Sequence, residues 1–382
     1  MSQMSANRLA HLRATVEQHV ESGLYYGAAV KIARHGETVL DIAIGHADLD
    51  GAWPLVTDSV FSVFSMTKTF VNVLVLRAVE LGRFALTTKV AQLVPAFTGP
   101  PRERATIFHL LTHTAGLPAV WEASPGAYAD RHDENVAAVC ERVHGIVEPG
   151  TRCDYAPMAN HVLLAEALRV TDPAGRAVPA ILEEDLFAPL GMTDTAMGIR
   201  PHMRERHVVP DMRGTVPIDS RHRDLPDVEN SLYRAEHNEA AWVGAASTTG
   251  DMQKVAEMLR GEGAIGGTRV LSPRTVQVAR RNWTGNMENE LYATVARRAG
   301  WEVPPAYMGL GFNVRGTGLV HHQFGTLTSP ETMGNYGAGS CVYWVDPELD
   351  MTFVGLTAGL LAQAPNIERF QQLSDIAVSA AI

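Results

Sequence analysis

Lysine and cysteine are scarce in this chain, with four of the first and three of the second in 382 residues. Lys31, Lys68, Lys89 and Lys254 are few, and the formal net charge is −10. Such a surface does not grip phosphate backbones or anionic lipid, so no nucleic-acid and no membrane partner is expected. Cys140, Cys153 and Cys341 are odd in number and form no CxxC pair. They read as small buried apolar residues in a reducing, cytoplasmic setting. No stretch reaches the roughly 18 apolar residues of a spanning helix. The opening MSQMSANRLAHLRATVEQHVESG lacks the apolar core and cleavage site of a secretory signal. There is no G-x-S-x-G elbow, no internal repeat and no low-complexity tract.

What is present describes a globular protein: 46% hydrophobic and 19% charged residues, in a length that suits one large or two smaller domains. Leu9, Leu12, Val16 and Val20 recur at helical spacing over 6–22. AAVKIARHGETVLDIAIGHAD reads as a hairpin turning at His35-Gly36. From Ser65 to Leu81 the pattern is that of a largely buried helix, stopped by Gly82. Helical segments follow at 106–113, 134–143, 157–170 and 178–187, then an irregular excursion over 200–237 rich in Arg, His, Asp and Pro. Further helices are predicted at 250–260 and 273–281. Four β-type runs come next, GLGFNVRG, LVHHQFG, SCVYWVD and MTFVGLT, and a last helix covers 366–380. The expected fold is α/β of the α+β type. Its antiparallel sheet is built from both terminal parts, 1–85 and 240–382, with a mostly helical region, 86–239, inserted between them.

Ser65-Met66-Thr67-Lys68 carries the chemistry. On a helix, positions i and i+3 share a face, so a hydroxyl and an amine meet. A serine is a weak nucleophile until a neighbour takes its proton, and a desolvated lysine can help to do so. Ser65 also stands where a helix begins, and free N–H groups there favour negative charge. A chain with 15 serines and 4 lysines holds about 0.16 such pairs by chance. The plain alternative makes Ser65 a helix cap and Lys68 a snorkelling surface residue. His109 and His113 lie four apart, but no Glu follows His109 as in a zinc protease, so no metal ligation is expected. His321 and His322, in a strand, would place one imidazole on each face. Trp121, Tyr128, Trp242, Trp283 and Trp301 fall in loop-like segments and are candidates for the walls of an apolar acyl pocket.

FSVFSMTKTF, followed by HLLTHTAGL, resembles the serine hydrolases with the class C β-lactamase (penicillin-recognising) fold. GTRCDYAPMANHVLLAEAL, FAPLGMTDT, GAASTTGDMQKVAEML and GNYGAGSCVYWVDPE follow in that family's order, over nearly the whole chain. The resemblance implies a β-lactamase/transpeptidase-like fold and a Ser65 acyl-enzyme formed without cofactor. It implies that Tyr155 shuttles the proton and that Lys68 keeps its phenol partly ionised. It places the third motif on Asn335, Tyr336 and Gly337, which with Trp242 are the expected substrate contacts. The N–H groups of Ser65 and Ala338 become the oxyanion hole.

Two departures matter. Pro157 stands where many members place an Asn or Ser that orients the lysine, with Asn160 one turn further on. Asn335 replaces a third-motif lysine, which disfavours β-lactams and favours neutral esters or amides. The expected partner is thus a small-molecule ester or amide, and a homo-oligomer is compatible with the sequence. An acyltransferase would keep the same residues and replace water by another acceptor. β-Lactamase or D-amino-acid peptidase activity, and an idle binding protein of the same fold, are the remaining readings.

Overall fold

The computed structural model describes residues 4–48, 50–120, 131–210 and 233–382. Its centre is a six-stranded antiparallel sheet in the order Glu37–Gly45, Gly27–Arg34, Met351–Ala358, Cys341–Asp346, Met333–Gly337, Asn313–Val314. The expected fold class is what is found, with the first hairpin joined to the C-terminal strands by pairing Gly27 with Ala358 and Arg34 with Met351. That hairpin turns on His35 and Gly36, both at positive φ (52° and 78°). Two such residues give the turn the twist that antiparallel strands require.

The two central strands, Cys341–Asp346 and Met351–Ala358, are buried along their whole length, since helices cover both faces. Side-chain alternation divides them. Val342, Trp344, Met351 and Phe353 pack with Leu12, Val16, Phe370 and Leu373 from the terminal helices Ala6–Glu21 and Gln363–Ser379. Cys341, Tyr343, Val345, Val354 and Leu356 face the opposite layer. There they join a continuous core with the helices Thr67–Glu80, Thr249–Arg260 and Pro157–Val170. A short four-stranded sheet, Ala196–Met197, Ala245–Ser247, Val60–Ser62 and His207–Val208, supports the start of the nucleophile helix.

Most expected helices appear within a few residues of their limits, including Ile107–Leu111, His132–Arg142, Pro157–Val170 and Pro273–Ala279. One predicted strand does not form. LVHHQFG is loop, because the buried guanidinium of Arg315 gathers the carbonyls of Gly318, Gly325 and Thr326 and bends the chain around itself. His321 and His322 are therefore not on opposite faces of a strand. An unpredicted helix, Glu290–Ala299, is amphipathic but buries only the alanines Ala293 and Ala296.

Candidate active site

The chain leaves the Val60–Ser62 strand through Phe64, held at a positive φ of 44°, and enters a single 3₁₀ turn, Phe64–Met66. The helix Thr67–Glu80 follows directly, so Ser65 lies in the turn before the helix proper. Lys68, one turn on, is only 4% exposed, and its Nζ donates to the carbonyl of Trp242 at 2.7 Å. Tyr155 arrives from ninety residues away, just ahead of the helix that starts with Pro157. Proline suits that first position because its missing N–H would have no helical partner. The Tyr155 hydroxyl donates to Ser65 Oγ at 3.0 Å, and Lys68 Nζ stands 5.5 Å from the centroid of its ring. Ser65, Lys68 and Tyr155 are thus brought together.

Burial governs the protonation of this group. It drives the Lys68 amine well below its ordinary value, against a smaller upward pull from Cys341. It pushes the Tyr155 phenol up to about 12, only partly offset by the bond to Ser65. The expectation of a partly ionised phenol is therefore corrected. Burial favours the uncharged form of both groups, and the phenol acts as a donor to Ser65.

Asn160 does not take the place left open by Pro157. It is fully buried, and its Nδ2 is committed to His113 Nδ1 (2.9 Å) and the Leu110 carbonyl (3.2 Å). The Trp242 carbonyl holds Lys68 instead. The Trp242 ring itself is buried in the core, so its expected role as a substrate contact is also corrected. Trp121 and Tyr128 lie outside the described residues. Trp283 packs edge-on to Phe108, its Nε1 donating to Val278, and Trp301 lines a separate cleft.

His113, weighed in the sequence only as half of a metal-ligand spacing, lies against Tyr155. It follows the short helix Ile107–Leu111 at φ 54°, so it does not share a helix face with His109. Its ring lies 4.8 Å from that of Tyr155, and its Nδ1 accepts from the Ala156 N–H at 3.3 Å. That bond leaves the proton on Nε2. Burial, with Lys68 adding to it, holds the imidazole down to about 3. His113 is thus a neutral wedge under the phenol. Among the described residues no cluster of three or more His, Cys, Asp or Glu could hold a metal.

On the Met333–Gly337 strand, Asn335 and Gly337 face the nucleophile helix. The Asn335 amide donates to Thr69 Oγ1 (3.0 Å) and the Gly311 carbonyl (3.2 Å) and accepts from Asn313 Nδ2 (2.9 Å). All three contacts go to protein, which makes Asn335 a tie between strand and helix rather than a free substrate contact. Gly337 passes so close to the nucleophile turn that a Cβ there would lie 2.6 Å from the Val63 carbonyl, with Cys341 Sγ also in the way. This contact sets the end of the strand against the turn that carries Ser65. The Gly339 carbonyl beyond accepts from Leu361 N–H (3.0 Å) and Arg369 Nη2 (2.9 Å), fixing the turn. Gly337→Ala is expected to push the strand off the turn and lower ester turnover at least about tenfold, with a measurable fall in Tm. Steady-state kinetics and thermal melting check both.

Residues 12–377 match the beta-lactamase family. The chain belongs to that family. It is 31% identical to esterase EstB of Burkholderia gladioli, over 74% of this chain and 76% of that one. Its fold superposes on a penicillin-binding protein homologue from Caulobacter crescentus with a TM-score of 0.79. Identity there is 22%, covering 99% and 98% of the two chains. A family VIII carboxylesterase gives 0.78 at 18% identity, covering 97% and 98%. As a member of the beta-lactamase family with an esterase relative, the chain is a serine hydrolase.

Proposed function

We propose that this family member cleaves uncharged carboxylic esters through an acyl-enzyme on Ser65, with Lys68 and Tyr155 moving the proton. The observation that carries the reading is the 3.0 Å bond between the buried Tyr155 phenol and Ser65 Oγ beside a buried amine. Ser65 Oγ bonds to the carbonyl carbon and its proton passes to Tyr155. For this transfer the phenol turns its O–H away from Ser65 and toward Lys68, whose uncharged form accepts the phenol's proton as Tyr155 takes that of Ser65. The Trp242 carbonyl then supports the ammonium that results. The N–H groups of Ser65 and Ala338 receive the oxyanion, and the relay runs backward to release the alcohol. Water repeats the cycle on the acyl-enzyme and frees the acid.

Esters are favoured over β-lactams and peptide termini because Asn335, with its amide fully engaged, stands where a cation would meet a carboxylate. The likeness to EstB points the same way. A reducing, cytoplasmic setting is supported by three free, buried thiols. Among the described residues no helix is long and apolar enough to cross a membrane.

The test is a fluorophosphonate probe followed by intact-mass and peptide analysis, run beside a panel of p-nitrophenyl esters, anilides and a chromogenic cephalosporin. A single adduct on Ser65 and turnover led by short esters are expected. An adduct elsewhere, or a cephalosporin turned over faster than every ester, overturns the reading.

A further inference from the structure

Two irregular stretches of chain, 112–116 and 146–156, run alongside each other at the site. The Ile146 N–H donates to the Gly116 carbonyl (2.8 Å), the Gly150 N–H to the Thr114 carbonyl (2.7 Å) and Cys153 Sγ to the Thr112 carbonyl (3.6 Å). Around Tyr155 this pairing converges on a single residue. The N–H groups of Asp154 and Ala156, one on each side of Tyr155, both donate to His113. The first meets its carbonyl at 2.9 Å and the second its Nδ1 at 3.3 Å. Tyr155 is thus suspended between two hydrogen bonds to one residue.

The imidazole is itself held. Asn160 Nδ2 donates to the same Nδ1 at 2.9 Å, and the His161 ring lies 5.8 Å from that of His113. His161 in turn reaches the nucleophile helix, its Nε2 3.1 Å from Asn72 Oδ1. Direct contacts therefore run from that helix through His161 and His113 to the Tyr155 ring, 4.8 Å from His113, and Asn72, His161 and His113 are all buried. The arrangement persists despite a local cost. His113 takes a φ of 54°, a left-handed conformation that few residues other than glycine adopt. Such strain survives where the surroundings fix it, and it gathers at functional sites. A second residue of this kind, Phe64 at 44°, directly precedes Ser65.

We infer that His113 is a positioning residue, which fixes the Tyr155 phenol at Ser65 Oγ by holding both flanking peptides and packing against the ring. The inference rests on the ester-cleaving reading above. There the Ser65 Oγ–acyl bond forms as the acyl–oxygen bond to the alcohol breaks, and Tyr155 takes the proton of Ser65 and returns one to the departing oxygen. His113 acts through Tyr155 and is no base at Nδ1, whose lone pair two donors already share.

The experiment compares p-nitrophenyl acetate with ethyl acetate. p-Nitrophenolate departs without a proton whereas ethoxide must receive one, so a phenol out of place harms the ethyl ester more. His113→Gly removes the imidazole and accepts the positive φ. It is expected to lower kcat/KM for ethyl acetate at least about a hundredfold, and to raise the p-nitrophenyl to ethyl ratio at least about tenfold. His113→Asn tolerates the same φ and keeps an acceptor for the Ala156 N–H, so its ratio is expected between those of the wild type and His113→Gly. It carries the comparison if the glycine variant does not melt cooperatively. Ratios taken within one preparation are unaffected by any misfolded fraction. In a Tyr155→Phe background, His113→Gly is expected to change p-nitrophenyl acetate turnover by less than about threefold, because the group it aligns is gone. A ratio unmoved in both variants, or an equal loss with and without the phenol, would overturn the inference. Tyr155→Phe alone separates the two failures. A ratio it leaves unchanged would overturn the ester-cleaving relay and the inference with it. A ratio that it shifts and the His113 variants do not would overturn only the role of His113.

Discussion

Ser65→Ala is expected to lower kcat for a short p-nitrophenyl ester by at least about three orders of magnitude, with KM changed far less. The expectation follows from what the side chain supplies. Without Oγ no acyl-enzyme forms, and the two backbone N–H groups can only polarise a carbonyl for attack by water. The fold should survive, since the one hydrogen bond lost is that from the Tyr155 hydroxyl, which is then left buried without its acceptor. Such a loss costs about 1–3 kcal/mol, a modest fall in Tm. Fluorophosphonate labelling should vanish with the activity. A variant that kept a tenth of wild-type kcat while still melting cooperatively would show that another residue is the nucleophile.

The parts of this site legible in the sequence are those encoded locally. Ser65 and Lys68 are three residues apart at the start of an apolar helix, and that spacing alone brings the two side chains near each other. The central strands were equally plain, because SCVYWVD and MTFVGLT have side chains to bury on both faces. What stayed hidden depends on contacts made across the chain. Lys68 is held by a backbone carbonyl 174 residues away, and a carbonyl has no sequence signature. His113 reaches Tyr155 only because its backbone takes a positive φ, which histidine adopts rarely and no neighbouring residue announces. LVHHQFG has the composition of a strand, but the outcome was decided by Arg315 upstream, whose guanidinium needs the carbonyls a strand would have paired. The direction of the Tyr155 shift was likewise out of reach. It depends on how completely the phenol is enclosed, and enclosure is a property of the assembled core.

Lys68→Met is expected to separate activity from stability, lowering kcat by about 10²–10⁴ while raising Tm by roughly 2–5 °C at neutral pH. Methionine keeps the length and apolar stem of lysine but cannot accept the phenol's proton, so the relay ends at Tyr155. The gain in stability comes from the amine's burial, which depresses its folded-state pKa well below the value of about 10.4 it has in the unfolded chain. Between those two values the unfolded chain holds one more proton than the folded one, so wild-type stability rises with pH there. The penalty is greatest below the folded pKa and fades as pH approaches the unfolded one. The Tm advantage of Lys68→Met should therefore be largest near neutrality and shrink steadily toward pH 10. By then the variant's remaining deficit is the Trp242 carbonyl, which has lost its donor. Thermal melts of the two proteins across that range measure the trend directly. An advantage that grew with pH would mean that Lys68 is held as a cation, and the proton relay would need a different acceptor.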